Sequence, residues 1–153
     1  MKFLELKIPP VLVFVICVIL MWLTSLVTNE AVINTVLRLI FGMISLVAGG
    51  CIAVAGVLEF KRMKTTLNPL KPDLANSVVS TGIYQFTRNP MYLGLLFVLF
   101  SWTCYLDNLY SLIFVIFFHG YMTQFQIKPE ERILQSIFGK PYDLYQKRVR
   151  RWL

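Results

Sequence analysis

Charged residues punctuate this chain rather than pervade it. Uncharged runs of 22, 20, 18 and 20 residues separate Lys7 from Glu30, Arg38 from Glu59, Arg88 from Asp107, and Asp107 from Lys128. A bilayer core of about 30 Å is crossed by a helix of about 20 apolar residues. The spacing therefore predicts four transmembrane helices, over about 9–29, 39–58, 90–106 and 108–127. The expected fold is an all-α membrane protein, with residues 1–153 forming a single integral membrane domain. Pro9 and Pro10 open the first span, where proline sacrifices no helical hydrogen bond, and Trp22 anchors its far end. The second span carries Gly42, Gly49, Gly50 and Gly56 with Ala48, Ala53 and Ala55 among them. Such small residues suit a close helix–helix face, or a groove for a ligand.

Two polar segments break the apolar pattern. Residues 61–89 hold Pro69 and Pro72 with Asn68, Asp73, Asn76 and Gly82, which predicts an ordered loop. It ends at Arg88-Asn89-Pro90, where Asn89 is placed to cap a helix whose first residue is Pro90, and Gly94 leaves room one turn in. The second segment is the tail, 129–152. Pro129-Glu130-Glu131 is expected to start an amphipathic helix with Ile133, Leu134, Ile137 and Phe138 on its apolar face, ending at Gly139. Pro141 is expected to start another, with Tyr142, Tyr145, Val149 and Trp152 on one stripe toward lipid or bundle, lying in the interface.

Composition agrees: 57% of the residues are apolar and 15% charged. Soluble domains run nearer ~45–50% and ~25%. The longest piece outside the spans, Glu59 to Arg88, has 30 residues, too short for a dinucleotide-type βαβ domain, so a large cofactor would sit among loops and helix ends. The first run is of spanning length and lacks a small-residue cleavage pattern, which argues against a cleaved leader. The net charge is +7, and 14 of the 15 Lys and Arg fall on one side of a four-span chain, Arg38 being the exception. The positive-inside rule makes that side cytoplasmic, with both termini on it. The basic residues are juxtamembrane, so membrane lipids rather than nucleic acid are the expected partners. Cys17, Cys51 and Cys104 lie inside spans with no metal-ligand spacing and read as packing residues, with no metal site or disulfide expected. His119, in the fourth span, reads as a neutral imidazole bonded to a neighbouring helix.

Two clusters remain that could carry chemistry. The loop leading to Tyr92 presents a helix N-terminus suited to a carboxylate, and the stretch from Gln126 to Glu131 presents two carboxylates suited to a cation. A zwitterionic ligand fits that pair. The rings of Tyr84, Tyr92 and Tyr142 could add cation attraction.

The series Ser80-Thr81-Gly82-Ile83-Tyr84, Arg88-Asn89-Pro90-Met91-Tyr92-Leu93-Gly94, Glu130-Glu131 and Phe138-Gly139-Lys140-Pro141-Tyr142-Asp143-Leu144-Tyr145 with Arg148-Val149 resembles the isoprenylcysteine carboxyl methyltransferase and phospholipid methyltransferase superfamily. The resemblance covers about residues 64 to 152 and implies an integral membrane enzyme using S-adenosylmethionine. By that resemblance the cofactor would be held by Asn76, Ser77, Val78, Val79, Tyr84, Asn89, Pro90, Met91, Tyr92, Glu130 and Glu131. Arg88 and Glu131 are the candidates for orienting the acceptor at the catalytic step. Gln126 is the candidate substrate-binding residue. Asn89 stands where the carboxyl methyltransferases have His, and Gln126 where they have Arg, which weakens a bidentate clamp on a carboxylate substrate. The expected reaction is methylation of a lipid-like or small apolar acceptor. Isoprenylcysteine-type O-methylation is favoured by the resemblance; N-methylation of an amino phospholipid or S-methylation of a thiol are alternatives. An NADPH-dependent sterol-reductase-like enzyme and a non-catalytic scaffold are the rivals from other classes.

Overall fold

A computed structural model describes residues 5–28, 34–63 and 78–153. Within them the helices run α1 (Pro10–Val27), α2 (Thr35–Arg62), α3 (Pro90–Leu106), α4 (Leu112–Tyr121), α5 (Lys128–Phe138) and α6 (Lys140–Arg148). Short 3-10 turns occur at Gly82–Gln85 and Leu109–Ser111, and a π-helical segment, Met122–Ile127, joins α4 to α5 without a break. There is no strand among the described residues.

Two of these helices are long and apolar enough to cross a membrane: α1 with 18 residues and α2 with 28, at mean hydropathies of 2.7 and 2.2. Only 17% and 22% of their most apolar stretches are buried inside the protein, so they are not core helices of a soluble domain. They turn Val11, Leu12, Val15 and Ile16, and Ile40, Met43, Ile44 and Val47, outward. Apolar surface on that scale belongs against lipid. The second helix overruns the expected 39–58 at both ends. The Asn34 side chain accepts the Val36 N–H and caps its start, and Lys61 and Arg62 suit its negative C-terminal end. After Asp107 the chain makes a 3-10 turn before α4, because Asn108 Oδ1 accepts the Ser111 N–H at 3.1 Å.

The α2–α3 seam explains the glycines. Gly42, Gly49 and Gly56 recur every seven residues and so share one helix face. A Cβ at Gly49 would stand 2.7 Å from the Gly94 carbonyl oxygen, and one at Gly94 2.6 Å from that of Gly49. Cys104 meets Gly42, and Pro90 meets Gly56, so the helices run antiparallel in contact along their length. The room expected at Gly94 is therefore filled by α2, not left for a ligand. Only Gly50 of the set faces open space.

On the other side of α3, Val13, Cys17 and Met21 of α1 pack with Leu99, Phe118, Met122 and Ile127 in the main core. Pro129 was expected to open a new helix; instead α5 begins at Lys128 as a continuation of α4. Proline has no N–H for the carbonyl four residues back, and the wider π turns accommodate its ring. That carbonyl, Phe125, accepts the Leu6 N–H at 3.0 Å, so the segment before α1 straps across the helix at this point. Gly139, at φ +57, ends α5 where a side chain would be strained. Tyr142, Tyr145 and Val149 then turn inward onto Val79 and Tyr84, a second small core outside the bundle. Trp152 leaves their stripe: its ring lies 4.7 Å from that of His119 and its Nε1 donates to Thr123 Oγ1.

Candidate functional site

The starts of α3 and α5 meet at the end of the bundle where α2 finishes. Tyr92 lies in the first turn of α3 and Glu130 in the first turn of α5, and the Tyr92 hydroxyl donates to Glu130 Oε1 at 2.7 Å. Burial pushes the Glu130 carboxyl up to about 7; the Tyr92 hydrogen bond opposes this and the neighbouring Glu131 charge adds to it. Among the described residues no cation pairs with Glu130.

Glu131, one residue on, is in the opposite condition. Arg151 grips both its oxygens, Nε on Oε1 at 2.9 Å and Nη2 on Oε2 at 2.7 Å, and Arg88 Nη1 stands 3.0 Å from Oε1. Two arginines thus consume the carboxylate that had been read as a second cation ligand. The same tail segment closes over the loop before α3. The Arg88 N–H donates to the Arg150 carbonyl at 3.1 Å, and Asn89 Nδ2 to the Arg151 carbonyl at 2.8 Å. Asn89 occupies the N-cap position but does not cap with its side chain, because that amide is committed to the tail; the first turn of α3 has no side-chain cap. Its own N–H is taken by Thr87 Oγ1.

Tyr84 borders this cluster. It is 4% exposed, its ring meets Phe60 edge-on at 5.3 Å, and its carbonyl accepts the Tyr145 hydroxyl at 2.8 Å. Its own hydroxyl is buried with no hydrogen-bond partner among the described residues. Burial raises the Tyr84 phenol well above its ordinary range, and the charge of Glu130 is near enough to add to the rise. Pro90 and Met91 seat α3 on Gly56. Val79 is buried beside Tyr84 with Val78 packed on it, while Asn76 and Ser77 lie outside the described residues. Gln126 is buried in the π segment, and its Nε2 donates to the Ile8 carbonyl at 3.3 Å. Its Oε1 has no partner among the described residues.

Three participants escaped the sequence reading. In the sequence Arg151 is one of the juxtamembrane basic residues and nothing more; the available signal was that a buried acidic pair needs cations and Arg88 is a single one. Thr87 locks the turn before α3. Glu59 accepts the Thr81 hydroxyl and packs against Gly82, tying the end of α2 to the turn that carries Tyr84. Among the described residues no group of His, Cys, Asp and Glu is placed to hold a metal ion.

Comparison with known proteins bears on this arrangement. A family model described as phospholipid methyltransferase matches residues 37–141. A protein of Haemophilus influenzae, named only as uncharacterised, is 48% identical over 63 residues, which cover 41% of this chain and 100% of that protein. No solved structure matches.

Proposed function

Since the chain belongs to the phospholipid methyltransferase family, within the isoprenylcysteine carboxyl methyltransferase-like membrane methyltransferases, we propose that it methylates a lipid-like acceptor with S-adenosylmethionine at the Tyr92–Glu130 site. The observation that carries the proposal is that contact itself: a buried carboxyl, with no cation against it among the described residues, held at 2.7 Å by a phenol between two helix starts. The residues fit the cofactor's chemistry. Glu130 suits a cationic group, the uncapped first turn of α3 offers N–H groups to a carboxylate, and the Tyr84 hydroxyl, without a partner among the described residues, offers a hydrogen bond.

When bound, S-adenosylmethionine supplies an activated methyl group for in-line displacement. The protein's part is alignment and exclusion of water. Glu130 holds positive charge at its carboxylate, Tyr92 fixes the direction of that carboxylate, and Tyr84 closes the buried side. Among the described residues Arg88 and Arg151 both pair with Glu131, so a carboxylate acceptor would compete with Glu131 for a bidentate arginine clamp. That favours an amine acceptor, such as an amino lipid head group, over the isoprenylcysteine carboxylate.

Topology supports a lipid acceptor. The third helix lies along α2 from Pro90 to Cys104, and α4 with the π segment lies along α1, packing that supports a reading in which all four cross together. The site then opens at the cytoplasmic surface, where an acceptor arrives sideways from the bilayer. The test is calorimetric titration of the detergent-solubilised protein with S-adenosylmethionine, followed by incubation of membranes with methyl-labelled cofactor. Binding that S-adenosylhomocysteine displaces, and a base-stable labelled lipid, are expected. No binding removes the proposal, and a base-labile label returns the acceptor to a carboxylate.

A further inference from the structure

The tail that follows α6 reaches back over the site and touches both of its halves. Arg151 holds Glu131 of α5 with its guanidinium and Asn89, at the start of α3, with its backbone carbonyl; the Arg150 carbonyl adds the Arg88 N–H. Trp152 then fastens the tail to the bundle through Thr123 and His119. Through Arg151, whose carbonyl holds Asn89 and whose guanidinium holds Glu131, one residue links the two helix starts that carry Tyr92 and Glu130. Arg151 lies beyond residues 37–141, the part of the chain that the family model matches.

We propose that Arg151 is a positioning residue for the methyl-transfer site: it clamps α3 to α5 and so holds Glu130 against Tyr92. This rests on the function proposed above for that site. Arg151 does not face the ligand; it acts by neutralising Glu131 and by fixing the chain at Asn89. The ionisable groups around Glu130 are Tyr92 from α3, Tyr84 from the Gly82–Gln85 turn and Glu131 on its own helix. Glu59 of α2 lies beyond Tyr84, and Arg88 and Arg151 reach Glu131. With Arg151 gone, the negative charge at Glu131 beside Glu130 is less compensated; with Glu131 replaced by a neutral residue, the two arginines stand uncompensated there.

These two changes push the titration of Glu130 in opposite directions, which loss of fold stability alone would not do. The experiment follows the protonated carboxyl infrared band of Glu130, assigned by its disappearance in Glu130→Gln, against pH in cofactor-free protein. Arg151→Ala is expected to raise the midpoint and Glu131→Gln to lower it. In parallel, Arg151→Ala is expected to weaken S-adenosylmethionine binding by ~10- to 100-fold, as a small misplacement of an aligned group does, with Arg151→Lys recovering part of the loss. If Arg151→Ala does not fold, Arg151→Gln carries the same test. An unmoved midpoint in the Arg151 variant, or movement of both variants in one direction, overturns the proposal. Wild-type protein that binds no cofactor yet shows the opposed shifts would overturn the methyltransferase reading and leave the positioning role standing.

Discussion

The two ends of the bundle treat charge in opposite ways. At one end Arg38 stands 3.2 Å from Asp107 and donates to the carbonyls of Cys104 and Tyr105 at 2.6 and 2.8 Å, the groups that the C-terminus of α3 leaves unpaired. Cation, acid and the negative helix end cancel within a few ångströms. Asn108 completes the closure, donating to the carbonyl and hydroxyl of Thr28. At the other end Glu131 takes two arginines while its neighbour Glu130, among the described residues, takes only a phenol. A buried carboxylate left without a cation is costly, and a fold keeps one where a ligand completes it. The closed end is architecture, and the open end is where chemistry is to be sought.

The largest effect that would sharpen this contrast comes from Glu130→Gln, which preserves shape and removes the charge. S-Adenosylmethionine binding is expected to fall by ~10²- to 10³-fold, the scale for losing one aligned electrostatic partner in a buried site. The wild-type pH profile follows from the carboxyl standing at about 7. Below that pH the group is protonated and attracts a cation weakly, so affinity rises with pH by up to about tenfold per unit and levels off above it. The variant retains whatever titration belongs to the ligand, so the difference between the two profiles isolates Glu130. Its stability runs the other way: the folded state holds this proton more tightly than the unfolded chain, so Glu130's contribution declines from pH 4.5 to about 7 and is constant beyond. A wild-type affinity in Glu130→Gln would show that the open end is not open for a cation.

At the closed end, Arg38→Ala should do the reverse. It strips the α3 carbonyls and Asp107 of their partner, at a cost of about 1–3 kcal/mol, read as a lower thermal midpoint in detergent. Affinity for S-adenosylmethionine should not change. A drop in affinity at full folding would mean that the two ends communicate through α3, and the division into architecture and chemistry would fail.

These residues also mark how far the sequence could be read. Runs without charge locate α1 and α2 because no charge can be spared in a span, and Pro90 marks the start of α3 because proline needs no donor there. The chemical types of Tyr92 and Glu130 were equally plain. Partnerships were not. Arg151 reaches Glu131 from 20 residues away, and nothing local distinguishes it from Arg150 or Arg148, which face outward. The same holds for Pro129, which looks like a helix start until the Leu6 N–H supplies the donor that lets the helix run through. Asn89 has the sequence of a cap, yet its amide finds a better partner in a tail more than sixty positions on.

The smallest effect tests how strictly the open end depends on its surroundings. Tyr145→Phe deletes only the hydroxyl that donates to the Tyr84 carbonyl, leaving the ring packed between Tyr142 and Val149. The net loss should be about 1 kcal/mol, the lower end of what leaving one buried carbonyl without its hydroxyl donor costs, because the apolar contacts persist. Tyr84 would then hold its place by its ring against Phe60, and cofactor affinity should fall only several-fold, far less than in Glu130→Gln. Thermal unfolding and calorimetric titration of the same preparation separate the two readouts. Should Tyr145→Phe weaken binding as much as Glu130→Gln does, the buried Tyr84 hydroxyl, not the Glu130 carboxylate, would be the feature that makes this end of the bundle a binding site.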